Sequence, residues 1–85
     1  MLEVDWAEAA VKDLDKLDKP IAQRILTKIS WFSNNFEGVV PEPLGSKFKG
    51  TFKLRIGDWR VIYTLENEVM VIQLIGHRKE IYNIK

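Results

Sequence analysis

The second half of the chain alternates apolar and polar residues with the two-residue period of a β-strand. Two such runs, 52–56 and 59–65, flank the pair Gly57-Asp58, which is typical of a two-residue hairpin turn. A third run, 69–75, is apolar at every position except Gln73, as in an interior strand of a sheet. Together the three runs predict an antiparallel meander.

The first half carries apolar residues at the three- and four-residue spacing of amphipathic helices. One stripe runs from Ala7 to Leu17 and a second from Ile21 to Phe36. Asp18 lies between them and is suited to cap the start of the second helix. The connection is short, so the two helices are expected to form an antiparallel hairpin.

A short alternating segment, 2–6, precedes the helices and predicts one more strand. The segment 39–50 holds two prolines and two glycines and is interpreted as a loop. The order of strand, two helices and three strands predicts an α+β domain, with the helices packed on one face of a single sheet. A chain of 85 residues is long enough for one such domain, spanning 1–85.

Composition removes several classes of function. The chain has no cysteine and a single histidine, which excludes disulfides and thiol chemistry and argues against a metal centre or other cofactor. No segment approaches the ~20 apolar residues of a membrane span. The first ten residues carry three acids and no Lys or Arg, unlike a signal peptide. A cytoplasmic location is therefore expected.

The net charge of +1 is the sum of two unlike halves. Residues 1–46 hold five basic and eight acidic side chains, whereas residues 47–85 hold eight basic and four acidic ones. A positive half favours an anionic partner or substrate.

Strand alternation places three of these cations together. If the apolar residues at 52, 54 and 56 face the helices, Lys53 and Arg55 point to the opposite face, and Arg60 joins them across the turn. Cross-strand neighbours lie only about 5 Å apart, and these strands offer no acid of matching parity. The expectation is a face of three outward cations, which is either a solvated surface or a site for phosphate.

The segment 76–82 adds His77, Arg78, Lys79 and Tyr82 near the end of the third strand. Arginine binds phosphate oxygens in bidentate fashion, a lysine among cations can serve as a base, and an aromatic ring can stack on an unpaired base. His77 has an equally ordinary interpretation as a hydrogen-bonded histidine at a strand end, and Tyr82 as a residue covering the sheet.

Two segments, 53–63 and 75–82, resemble the signature of the RelE toxin family of toxin–antitoxin systems, K-x-R-x-G-x-[YW]-R-[VI]-x-[YF] followed by [IL]-x-H-R-x-x-[VI]-Y. The predicted hairpin and first strand fit the same superfamily. The resemblance implies a ribosome-dependent endoribonuclease that cuts mRNA without a metal. It also implies two kinds of partner: ribosome and mRNA as target, and a small, acidic, RelB-like antitoxin as inhibitor.

The resemblance also assigns roles to individual residues. Lys53 matches a general base for the 2′-hydroxyl, Arg60 an arginine that stabilises the pentacovalent phosphate, Arg78 a group at the leaving 5′-oxygen, and Tyr82 a tyrosine that orients the substrate. A second set is expected to bind RNA or phosphate: Lys47, Lys49, Arg55, His77 and Lys79. Some members carry another lysine where this chain has Thr51, which leaves open whether Lys53 or a loop lysine is the base.

Two alternatives remain open from the sequence. ParE-type toxins share the fold and much of the strand pattern but inhibit DNA gyrase. A catalytically inactive module that only binds an antitoxin would share them as well. The set of Lys53, Arg60, Arg78 and Tyr82 favours the ribonuclease.

Overall fold

The computed structural model describes residues 1–45 and 47–81. Its elements are β1 (Glu3–Trp6), α1 (Glu8–Asp15), α2 (Lys19–Asn34), a 3₁₀ turn (Phe36–Gly38), β2 (Glu42–Pro43), β3 (Thr51–Ile56), β4 (Trp59–Glu66), β5 (Val69–His77) and α3 (Arg78–Ile81).

The strands form a single five-stranded sheet in the order β1-β5-β4-β3-β2. The predicted meander of β3, β4 and β5 is confirmed, and β5 has neighbours on both sides. β1 pairs with β5 in parallel, although the two helices and the strands β2 to β4 lie between them in the sequence. The predicted α+β architecture is therefore confirmed.

One face of the sheet holds the core. Helix residues such as Ala10, Ile25 and Ile29 pack there against strand residues such as Val61 and Ile72, and all five are almost fully buried. The interior positions of the meander follow the predicted alternation, since Leu54, Ile56, Val61 and Tyr63 all belong to this core. Hereafter this side is the helix face, and the opposite side is the open face.

A bulge in β5 explains why this strand is apolar at both parities. The pairing passes from Ile62–Leu74 to Tyr63–Ile72, so that Gln73 is an extra residue. Ile72 and Ile75 can then both enter the core although they are three positions apart. The backbone N–H of Ile75 donates to the Asp13 carboxylate of α1 at 2.9 Å, which ties the helix to the strand next to the bulge.

The segment 39–50 differs from the loop that its prolines and glycines predict. Within it, Glu42 and Pro43 pair antiparallel with Lys53 and Phe52 and form the edge strand β2. Proline is compatible with an edge, where its missing N–H is not needed by a further strand. Among the described residues, no helix combines the length and apolarity needed to cross a bilayer.

Candidate nucleic-acid interface

The three cations of the meander share the open face, as their parity predicts. Arg55 lies directly opposite Arg60 in the β3–β4 pairing, and Lys53 lies opposite Ile62. Their neighbours in the strands, Leu54 and Val61, point into the core, so these side chains point away from the helices. The sheet therefore concentrates positive charge at one place.

The strands that carry these cations offer no acid of matching parity, but a neighbouring strand does. Glu42, on the unpredicted strand β2, is the cross-strand partner of Lys53. Its carboxylate accepts hydrogen bonds from Arg55 Nε at 2.9 Å and Nη2 at 2.7 Å, and lies 3.6 Å from Lys53 Nζ. One carboxylate therefore holds two cations in fixed positions.

These contacts also decide the protonation state of Glu42. The hydrogen bonds from Arg55 hold the pKa of the Glu42 carboxyl below its ordinary value of 4.5, outweighing the opposing effect of burial, and Lys53 adds to the lowering. Glu42 is consequently an anion at neutral pH.

Arg60 lies on the open face but is buried there, with only 5% of its surface exposed, so it is not solvated as an outward cation would be. Its Nη1 donates to the carbonyl oxygens of Gly57 and Trp59, each at 2.8 Å. Its Nε is buried without a hydrogen-bond partner, and no carboxylate of the described residues lies within ion-pair distance. A buried charge without a counter-ion is costly, so an anion that reached this guanidinium would relieve the cost.

Arg78 lies at the same end of the sheet as Arg60. Its backbone N–H donates to the carbonyl oxygen of Asp58 at 2.8 Å, and its Nε lies 3.7 Å from the Asp58 carboxylate. Arg60 and Arg78 thus both contact the Gly57-Asp58 turn. The side chain of Arg78 is half exposed, so its ion pair is weak and open to exchange with another anion.

Helix α3 begins at Arg78 and turns back over the open face. The side chain of Ile81 lies so close to Gly76 that a Cβ at that position would meet it at 3.0 Å. Gly76 is the cross-strand partner of Arg60, so the close approach of α3 at this glycine places the helix next to the buried guanidinium.

His77 is not brought into this cluster. It pairs with Trp59, and the two rings make an edge-on contact with centroids 5.5 Å apart on the side opposite to Arg60. Its Nδ1 accepts a hydrogen bond from the backbone of Lys79 at 3.2 Å, as the interpretation of a strand-end histidine predicts. Lys79 is an exposed residue of α3.

The remaining candidates lie at the margin. Lys47 and Lys49 are exposed in the loop before β3. Thr51, at the position of the additional family lysine, begins β3 and is half buried. Tyr82 lies outside the described residues. The sequence interpretation overlooked Glu42, for which the only local signal was a single acid between two prolines.

Comparison with known proteins identifies the family. A family model described as the ParE toxin of the type II toxin–antitoxin system parDE matches residues 4–82. The chain belongs to the ParE toxin family. It is accordingly a type II toxin of the RelE/ParE superfamily, and the predicted resemblance to that superfamily is confirmed.

Individual relatives place this ParE-family chain close to proteins named for RelE. A putative RelE-like toxin protein from Escherichia coli is 28% identical over 91 residues, covering 96% of this chain and 90% of the relative. A chain of the RelBE2 toxin–antitoxin complex from Mycobacterium tuberculosis is 28% identical, with a TM-score of 0.73 and coverage of 91% of this chain and 98% of that one.

A more distant structure shows the same fold. A chain of the RelB–RelE antitoxin–toxin complex from Methanococcus jannaschii, 21% identical, has a TM-score of 0.75 and covers 95% of this chain and 98% of its own length. Matches to both ParE and RelE establish the superfamily. The chemistry that bears on the cellular target lies on the open face.

Proposed function

We propose that this ParE-family chain is a metal-independent endoribonuclease that cuts mRNA on the ribosome and thereby stops translation. The observation that carries the proposal is Arg60, a buried guanidinium that no carboxylate of the described residues neutralises, beside the exchangeable Arg78. A surface selected only for solubility would not bury an arginine without a counter-ion. A site for a dianionic, pentacovalent phosphate would bury such an arginine, because the phosphate supplies the counter-charge.

The reaction proposed is an internal transesterification. The 2′-oxygen attacks the adjacent phosphorus, the bond from phosphorus to the 5′-oxygen breaks, and the products are a 2′,3′-cyclic phosphate and a 5′-hydroxyl. The uncharged form of Lys53 takes the proton of the 2′-hydroxyl, Arg60 stabilises the charge on the phosphate oxygens, and Arg78 donates a hydrogen bond to the leaving 5′-oxygen, which takes a proton from water.

Glu42 gives the site a second group able to accept a proton. It is ionised at neutral pH, and it lies 3.6 Å from Lys53 Nζ. In this proposal Glu42 keeps Lys53 and Arg55 in position, and Lys53 remains the base. Arg55 and the loop lysines at 47 and 49 contact flanking phosphates, and Tyr82 orients the substrate.

The proposed regulator is a small, acidic antitoxin. Two of the structures that this chain resembles are complexes of a toxin with its antitoxin. A partner of this kind would place carboxylates on the same open face and compete with RNA for Arg60 and Arg78.

Inhibition of DNA gyrase is a second candidate, because the family model that matches is the one for ParE. Both candidates are tested together by adding the purified chain to translating ribosomes and, separately, to DNA gyrase. We expect mRNA cleavage with cyclic phosphate ends, persisting in EDTA once ribosome integrity is controlled. Inhibition of gyrase with intact mRNA would replace the proposed function by its alternative.

The variants Arg78→Ala and Lys12→Ala supply the matched comparison. Arg78 contacts the Gly57-Asp58 turn, as Arg60 does, whereas Lys12 is an exposed cation of α1 that pairs with Glu8. We expect Arg78→Ala to lower the cleavage rate about a hundredfold, as loss of one donor to a developing charge does. Lys12→Ala should leave it unchanged, and equal rates for the two variants would remove Arg78 from the site.

A further inference from the structure

A cavity of about 300 Å³ opens on the open face beside the proposed phosphate site. Ile62 and Leu74 form part of its floor. Ile81 of α3 and Phe48 of the loop before β3 contribute to its walls. Its volume is in the range of small-molecule sites, which begins at about 300 Å³. The cavity lies on the opposite side of the sheet from the core.

Strand register fixes the position of this cavity relative to the cations. Ile62 is directly opposite Lys53, so their Cβ atoms are about 5 Å apart. Ile62 and Arg60 are two residues apart on the same face of β4, a separation of about 7 Å along the strand. The cavity and the cluster of Lys53 and Arg60 are therefore immediate neighbours on one surface.

The lining is mostly apolar and carries a few polar groups. Phe48 as a whole residue is 43% exposed, which is unusual for phenylalanine and leaves it available for stacking. Gln73 and Thr51 are the polar residues of the lining. Gln73 Nε2 donates to Thr64 Oγ1 at 3.1 Å, so its amide is held in place and its carbonyl oxygen keeps its capacity to accept.

We propose that this cavity receives a single unpaired nucleobase, that of the nucleotide whose 3′-phosphate is bound at Arg60 and Lys53. The inference rests on the proposed ribonuclease function and extends it from the phosphate to the base. Single-stranded RNA is recognised by aromatic stacking combined with hydrogen bonds to base edges, and the cavity supplies both through Phe48 and Gln73.

Charge selects a nucleotide over an apolar protein side chain as the occupant. Ile62 of the cavity lies opposite Lys53 and two residues from Arg60, whose charge no carboxylate of the described residues neutralises, so the ligand should carry an anion next to the group that enters the cavity. A nucleoside 3′-monophosphate has this arrangement of a flat base and a phosphate. A leucine or phenylalanine from a protein partner would leave the guanidinium without a counter-charge.

The test is binding of the four nucleoside 3′-monophosphates, followed by methyl NMR of the full chain, with inorganic phosphate as the comparison. We expect the nucleotides to shift the methyl signals of Ile62, Leu74 and Ile81, and phosphate to leave them unmoved. Phe48→Ala should weaken nucleotide binding about tenfold, since stacking contributes about 1–3 kcal/mol per base. The control Val40→Ala, at a residue 93% exposed outside the cavity, should change nothing.

Gln73→Leu tests recognition of the base edge. This variant should still bind nucleotides but should discriminate less between the four bases, because the amide that reads the edge is gone.

Phe48→Ala should leave the local fold intact, since the backbone hydrogen bonds of residue 48 to Gly45 and Thr51 do not involve its side chain.

The outcomes separate this inference from the proposed function. Nucleotides that bind no more tightly than inorganic phosphate, or leave the three methyl signals unmoved, would overturn the cavity assignment even if mRNA is cleaved. Shifts of the same signals with an apolar peptide but not with nucleotides would show a protein-docking pocket and overturn it too. Nucleotide binding in the cavity without any mRNA cleavage would support the base site and count against the proposed reaction.

Discussion

The two faces of the sheet differ in the chemistry of their side chains: one is apolar and the other carries charge. On the helix face, apolar side chains from α1, α2 and four strands close a core with several fully buried residues, among them Ile25, Val61 and Ile72. On the open face, the same strands carry Lys53, Arg55 and Arg60 at the intervening positions. One face provides stability, while the other holds charge in a costly arrangement.

The difference teaches where to look for function in a small toxin. Core packing is a sufficient reason for every buried residue of the helix face. On the open face, burial of Arg60 has no such reason, and Glu42 compensates Lys53 and Arg55 but not Arg60. A buried charge that no carboxylate of the described residues neutralises is the reason for proposing a phosphate site there, and substitutions on the two faces should have different consequences.

The largest effect on stability is expected from the helix face. Ile25→Ala removes a fully buried side chain of α2 and should lower the free energy of unfolding by about 2–5 kcal/mol, measured by urea denaturation. Leu74→Ala, on the open face, should cost less than half as much, because this side chain is only partly buried. Equal losses of unfolding free energy for both variants would contradict the statement that the helix face provides most of the stability.

Glu42→Gln should destabilise the chain in a pH-dependent way. The folded state lowers the pKa of Glu42 below 4.5, so its contribution is present above the unfolded-state pKa and is lost as the pH falls through the folded-state pKa. Urea midpoints of wild type and variant should therefore differ at pH 7 and converge as the pH falls through the folded-state pKa of Glu42. Glu66→Gln, an exposed acid at the end of β4, serves as the control and should show no difference over the same pH range.

Tyr63→Phe is expected to have the smallest effect. The hydroxyl of Tyr63 is buried without a hydrogen-bond partner among the described residues, so its removal should leave stability at pH 7 unchanged or raise it by up to about 1 kcal/mol. A loss of more than that amount would reveal a partner for the hydroxyl.

The same variant makes a prediction at alkaline pH. Burial, reinforced by the negative charge of Glu42, raises the pKa of Tyr63 from 10.0 to about 12. The neutral phenol therefore stabilises the folded state fully below pH 10, and this contribution disappears as the pH rises towards 12. Thermal melting at pH 8 and pH 11 should show wild type losing stability that Tyr63→Phe retains.

Local sequence pattern predicts much of the fold. The elements that it does not predict depend on pairing with residues that are distant in the sequence. Alternation in 52–56 and 59–65 gave the correct faces because a strand has a fixed period. The strand at Glu42–Pro43 has only two residues, and its existence depends on Lys53 and Phe52 across the sheet. No local rule predicts such a partner.

The candidate site divides in the same way. The sequence predicts that Arg60 and Arg78 share a solvent-facing patch; both contact the Gly57-Asp58 turn, but Arg60 is buried there. Their environments were not predictable from local pattern, since Arg60 is buried on a face where alternation predicts an exposed side chain, and neutralisation of Arg55 depends on Glu42. Side-chain chemistry can be predicted from sequence, whereas its electrostatic setting requires the tertiary structure.

The most direct test of the account is the Nε–H signal of Arg60 in a titration of the protein with inorganic phosphate, followed by ¹⁵N-resolved NMR. We predict that this signal moves downfield and saturates, because the buried Nε–H gains an acceptor, and that Arg78 responds with it. An Arg60 signal that stays fixed while exposed arginines shift would contradict a phosphate site on the open face.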